Sequence, residues 1–241
     1  MQRTNHPQTP NLQTKLMKLL LPLLLASLAL PAQQLSPTER DMVAYIDAHT
    51  PEAIDLLEQL VNINSGTMNH AGVREVGRAF EPELRALGFD VQWIAMPDSV
   101  NRAGHLFAYK KGKKGKRLLL IGHLDTVFEK DSPFQAFERI GTPGDSVYYA
   151  KGPGAADMKG GDVVILYALK ALDAAGLLAD ATITVALIGD EEKSGKPLSL
   201  ARQHLIEAGR QSDIALGFEG GDPGPSPAAR PRSRHWAPSI T

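Results

Sequence analysis

Apolar positions along the chain follow two periods in turn. From 38 to 61, Met42, Val43, Ile46, Ile54, Leu57 and Val61 recur at helical spacing, which predicts helix. Pro51 falls inside that stretch and is expected to start a second helix, since proline is well tolerated in a first turn. A further amphipathic helix is predicted over 72–87, closed by Gly88. Then the period shortens. FDVQWIAM (89–96), HLFAYK (105–110) and RLLLIGHLD (117–125) read as strands, with KGKKG between the last two as a hairpin turn. A helix is expected from Met158 to Ala175, a strand over 181–189, a helix from Pro197 to Ala208 and a strand over 213–218. Strands alternating with helices imply an α/β domain with helices on both faces of a sheet. Ligands of such sheets bind beyond the carboxyl ends of the strands.

The two ends of the chain depart from this pattern. Residues 19–30, LLLPLLLASLAL, are apolar apart from Ser27 but too short to span a bilayer, which takes about 20 residues. Lys15 and Lys18 precede the run, and the small residues Ala29 and Ala32 lie at its end and just beyond. That is the layout of a secretory signal peptide within 1–32. It implies export to a periplasm or the cell exterior, with no stable membrane anchor after cleavage. At the other end, 222–241 holds five of the 17 prolines and three arginines without apolar periodicity, so an irregular tail is expected there. The domain proper is expected over 38–221.

Composition narrows the chemistry. The 26 basic and 27 acidic residues leave a net charge of −1, which provides no electrostatic footprint for nucleic acid. The absence of cysteine excludes disulfides, thiolate zinc sites, iron–sulfur clusters and a cysteine nucleophile. A metal could be held only by His, Asp and Glu.

Four strand or loop ends offer such groups. His123 and Asp125 close the apolar run 118–121, two residues apart and so on one side of a strand. A carboxylate there can orient an imidazole ligand, although a capped turn would look the same. Asp157 sits among Gly152, Gly154, Gly160 and Gly161 ahead of a helix. A plain helix N-cap is the competing reading. A phosphate loop fits less well, because the order G-x-x-x-x-G-K-[ST] is missing and an aspartate at the centre would repel the anion. Asp190, Glu191 and Glu192 follow a β-branched strand, and their mutual repulsion costs stability unless a cation sits there, with a solvated acidic turn as the competing reading. Glu219 ends a fourth apolar run. Together they point to a hard or borderline metal held by oxygen and imidazole: zinc first, with cobalt or manganese also able to bind.

The motifs G-H-x-D-T-V, G-P-G-x-x-D-M-K-G-G and D-E-E-K-S-G, in that order, resemble the co-catalytic di-zinc metallopeptidases and amidohydrolases. That family includes glutamate carboxypeptidase, acetylornithine deacetylase, succinyl-diaminopimelate desuccinylase and aminoacylase. The resemblance covers residues 52–221. It implies a zinc-exopeptidase-like α/β domain with a mixed central sheet. It also implies hydrolysis of an amide bond in a peptide or N-acyl amino acid by a metal-activated water. By resemblance, His123 binds one zinc and Asp125 orients it, Asp157 bridges two metals, Glu191 is the general base, Glu192 binds the second zinc, and Glu219 completes the first. Family members continue into a lid and dimerisation domain and form homodimers. Only 22 residues follow Glu219 here, so the lid is expected to be absent and the domain incomplete. His235 lies in a setting unlike the family's final ligand motif. The competing expectation is a catalytically inactive fragment that at most binds metal or peptide.

Overall fold

The computed structural model describes residues 35–142 and 149–220. The expected signal peptide and proline-rich tail lie outside the described residues. The chain divides into two compact units between Arg40 and Asp41. On the N-terminal side, Ser36 and Glu39 form a reciprocal capping box: Ser36 N donates to Glu39 Oε2 at 2.7 Å and Glu39 N to Ser36 Oγ at 3.2 Å. The features that follow belong to residues from 41 onward, apart from the first residues of the helix that begins at Pro37.

One helix, α1, runs over Pro37–Val61 with Pro51 inside it, in place of the two expected. A proline removes one rung of the helical ladder. Just upstream, the Thr50 hydroxyl donates to the Ile46 carbonyl at 2.8 Å, and His49 Nδ1 lies 2.7 Å from the Tyr45 carbonyl. The rung lost at Pro51 is the one to the Asp47 carbonyl, and the helix continues past it. α2 follows over His70–Ala86, capped by Asn69, whose side chain accepts from Gly72 N.

Five strands form the main sheet: β1 (Asp90–Ile94), β2 (His105–Lys110), β3 (Lys114–His123), β6 (Ala181–Ile188) and β7 (Ile214–Gly217). Their spatial order is β1-β2-β6-β3-β7. β1 and β2 are antiparallel, as are β2 and β6, whereas β3 runs parallel to both β6 and β7. The sheet is therefore mixed, as the resemblance implied. The expected hairpin between 105–110 and 117–125 does not form, because β6 lies between β2 and β3. The KGKKG segment instead crosses the start of β6, where Lys113 N and Lys114 N both donate to the Asp180 carbonyl. β6 is buried at most of its positions and takes the centre of the sheet, where both of its faces can be covered. Two short strands that the pattern did not predict, β4 (Glu138–Ile140) and β5 (Tyr149–Lys151), pair antiparallel as a separate ribbon.

Alternation along the central strands assigns the two faces. Leu120, Ile183, Val185 and Leu187 pack with Leu60, Val76, Phe80 and Leu84 from α1 and α2 and with Leu166 and Leu169 from α3 (Lys159–Ala174). Leu119, Ala186 and Ile188 face the other way, toward Phe107 and Ala208. Ala208 lies on α5 (Gln203–Gln211), which follows the short helix α4 (Leu198–Ala201). The expected single helix over 197–208 is thus two pieces, and helices cover both faces. The parallel strands β3, β6 and β7 end at one edge, with His123 closing β3, Asp190 two residues after β6 and Glu219 two residues after β7.

Candidate metal centre

His123 is buried at the tip of β3. Its Nε2 lies 2.9 Å from Asp157 Oδ1 and 3.7 Å from Glu219 Oε1. On the other side of the ring, Nδ1 lies 3.0 Å from the Asp125 carbonyl and 3.5 Å from its carboxylate. Residues 34 and 96 positions away in sequence thus converge on one imidazole nitrogen. Burial opposes the charged ring, but the Asp125 carboxylate, with Asp162 and Glu219 adding to it, outweighs burial and pushes the His123 pKa up to about 10.

The loop before α3 delivers Asp157. Gly154 takes a positive φ of 75°, a conformation that suits glycine alone at little cost. Met158, not Asp157, is the N-cap of α3, and no side chain caps it. The Asp157 carboxylate turns instead toward His123, which removes the N-cap reading. A Cβ on Gly161 would collide with the Phe218 carbonyl. That glycine therefore lets the start of α3 approach the exit of β7, beside Glu219.

Asp125 is fully buried and carries three donors. Thr67 Oγ1 donates to Oδ2 at 2.6 Å, Glu191 N to Oδ1 at 3.0 Å and Glu192 N to Oδ2 at 3.2 Å. It thus links His123 to the turn after β6. His123, Asp157 and Glu192 each offer a ligand atom, and these atoms all lie within 4.8 Å of one another. Burial raises the pKa of Glu192, and Asp157 raises it further against the pull of His123. Burial also raises that of Glu219, where the partial compensation from His123 is opposed by Asp157 and Glu191. One imidazole facing carboxylates, two of which, Glu192 and Glu219, hold protons more tightly than usual, is a donor set able to hold a divalent cation. Glu191 is exposed and stands outside the three-residue group.

Asp190 does not join the centre. Its carboxylate is fully buried and bonded to the Arg202 guanidinium, so the cation that the acidic run called for is, at this residue, a side chain. The sequence pattern also missed Thr67, Lys159 and Asp162. Lys159 is buried, with Nζ donating to the Leu60 and Ile63 carbonyls at 2.8 and 2.9 Å. Asp162 is buried with both carboxylate oxygens unpartnered. No spacing rule reaches Thr67 or Arg202, since their partners lie 58 and 12 residues away.

Comparison with known proteins gives a consistent picture. Residues 119–228 match the model of peptidase family M20/M25/M40. Carboxypeptidase G2 of a Pseudomonas species is 40% identical over 187 residues, 75% of this chain and 42% of that protein. A succinyl-diaminopimelate desuccinylase of a Nitratiruptor species is 31% identical over 60% of this chain and 35% of its own length. The chain thus spans well under half the length of these relatives. Among solved structures, human carnosine dipeptidase 1 superposes with a TM-score of 0.59 at 21% identity, covering 74% of this chain and 40% of that one. An M20 family metallo-carboxypeptidase of Sulfolobus solfataricus gives 0.53 at 18% identity, covering 70% and 38%. At those identities the likeness is one of fold.

Proposed function

Residues 119–228 belong to peptidase family M20/M25/M40, and from that premise we propose that this chain hydrolyses an amide bond in a peptide or N-acyl amino acid with the aid of bound zinc. The observation that carries the reading is the convergence of Asp157 and Glu219 on His123 Nε2. His123, Asp157, Glu192 and Glu219 hold the metal. Bound zinc supplies an acidified water and a polarised scissile carbonyl.

The remaining work falls to the chain's own groups. Asp125 engages Nδ1 of His123 and leaves Nε2 as the ligand atom. Its carboxylate also receives the amides of Glu191 and Glu192, which fixes where the two side chains start. Glu191 is the general base, taking a proton from the attacking water and returning it to the leaving nitrogen. A carboxypeptidase and a desuccinylase among the relatives favour substrates that carry a free carboxylate beside the scissile amide. Export is part of the same proposal, resting on residues 15–32. No helix among the described residues is long and apolar enough to cross a membrane.

The test measures release of glutamate from peptides ending in glutamate, and of acyl groups from N-acyl amino acids. Hydrolysis should be chelator-sensitive and should fall by about 10² to 10⁴ in Glu191→Gln with zinc content retained. Hydrolysis indifferent to both chelator and Glu191→Gln would reject the reading. Stoichiometric zinc without hydrolysis would instead favour the binding-only alternative.

A further inference from the structure

The turn after β6 is held from two sides. Asp125 holds it on the side of His123, through the Glu191 and Glu192 amides. The opposite side belongs to Arg202, at the junction of α4 and α5. Its Nη1 bonds the Asp190 carboxylate. Its Nη2 donates to the Asp190 carbonyl at 3.0 Å and to Ser194 Oγ at 2.9 Å. The second Asp190 oxygen accepts from Gly195 N at 2.7 Å, which closes the turn into a ring. Arg102 adds a donor to the Lys193 carbonyl at 2.6 Å. Glu191 and Glu192 lie inside this ring, between Asp190 and Ser194.

We propose that Arg202 is a positioning residue for the metal centre: by clamping Asp190 and Ser194 it fixes the directions in which Glu191 and Glu192 leave the sheet. The inference rests on the reading of His123, Asp157 and Glu192 as metal ligands. Arg202 is suited to this by its planar fork, which reaches a carboxylate oxygen, a carbonyl and a hydroxyl at once. A lysine would place a single point charge there. Apart from the Ala201 carbonyl beside it, at 3.3 Å, the recorded bonds of the guanidinium go to Asp190 and Ser194. A counter-ion that only stabilised the fold would have no need to gather its other acceptors within the one five-residue turn from Asp190 to Ser194.

The test titrates zinc into the full chain against a competing chelating dye, for wild type, Arg202→Lys, Arg202→Met, Ser194→Ala and a core control, Leu84→Ala. Leu84 is buried in α2, remote in sequence from the turn, and loses stability for a different reason. Partners one step behind metal ligands change affinity by about 10- to 100-fold, and Arg202 acts through the turn, so the lower figure applies. Arg202→Met should weaken zinc binding by about 10-fold, more than a control with the same loss of melting temperature. Arg202→Lys should recover part of the loss, and Ser194→Ala should show a smaller weakening with an unchanged melting temperature. If Arg202→Met does not fold, Arg202→Lys and Ser194→Ala decide alone. Wild-type affinity in both, or in a folded Arg202→Met, overturns the assignment, as does a loss no greater than that of the control. Absence of zinc binding by the wild type would fail the metal reading itself and this inference with it.

Discussion

Thr67 donates its hydroxyl hydrogen to Asp125 Oδ2 across 2.6 Å, tying the loop after α1 to the carboxylate that lies 3.5 Å from His123 Nδ1 and holds the amides of Glu191 and Glu192. The loop itself is fixed to the strand exit, with Thr67 N donating to the Thr126 carbonyl and Thr126 N to the Ser65 carbonyl. Thr67→Val keeps the shape and removes the donor. Zinc affinity is expected to fall by about 10-fold, with Thr67→Ser close to wild type. A competition titration checks both, and equal affinities for Val and Thr would show that Asp125 needs no such support.

Asp125 itself should matter more. Asp125→Asn retains the size but loses the charge facing His123 and misdirects an amide toward the Glu191 and Glu192 N–H groups, which need acceptors. The expected outcome is a loss of zinc affinity of about 10- to 100-fold, read by the same titration.

Lys159 governs stability. Its ammonium donates to the carbonyls of Leu60, in the last turn of α1, and Ile63, two residues beyond it, where the helical ladder runs out. The Leu60 carbonyl also accepts from Ile63 N at 3.2 Å, so Lys159→Met orphans the Ile63 carbonyl alone, and such an orphan costs about 1–3 kcal/mol. Urea unfolding should show a loss of about 2 kcal/mol. A loss below about 1 kcal/mol would mean that solvent reaches that carbonyl.

His105 sets an acid limit. Nδ1 accepts from Gly189 N at 3.1 Å, so Nε2 carries the proton and donates to the Ala201 carbonyl at 2.9 Å. Burial lowers its pKa below the ordinary 6.5, against the pull of Asp190. An unfolded chain takes up a proton near pH 6.5 that the folded ring refuses. The contribution of His105 is therefore intact above that pH and is lost as pH falls below it. Unfolding free energies measured at pH 7.5 and pH 5 should differ less in His105→Gln than in wild type; an equal difference would remove His105 as the cause.

Gly161 controls the approach of β7. A methyl group there meets the Phe218 carbonyl, which is backbone and cannot swing away. Gly161→Ala should shift Glu219 away from His123 and weaken zinc binding, while Gly209→Ala, in open space on α5, should have no such effect. The paired titrations check this.

Most elements were legible because apolar periodicity reports burial, and burial sets both sheet faces: Leu119 and Leu120 face opposite helices, as alternation demands. Pairing order was not legible. The short KGKKG link between 105–110 and 117–125 suggested neighbouring strands, yet β6, written more than 50 residues later, inserts between them. Pro51 misled because one missing rung does not end a helix that packs against the core on both sides of it, through Ile46 before and Leu56 and Leu57 after. The candidate ligands announced themselves at strand ends, where His123, Asp157, Glu192 and Glu219 break apolar runs or a glycine-rich loop. Thr67, Lys159 and Arg202 did not, because each meets its partner only after the chain has folded back on itself.

The most direct test is an anomalous-difference map at the zinc edge from crystals of the full chain soaked with zinc. A peak is expected at the carboxyl edge of the sheet, bonded by His123 Nε2 and Asp157, with Glu192 or Glu219 completing the shell at about 2.0–2.2 Å. A map with no peak beside His123, or with zinc bound only elsewhere, would contradict the metal assignment.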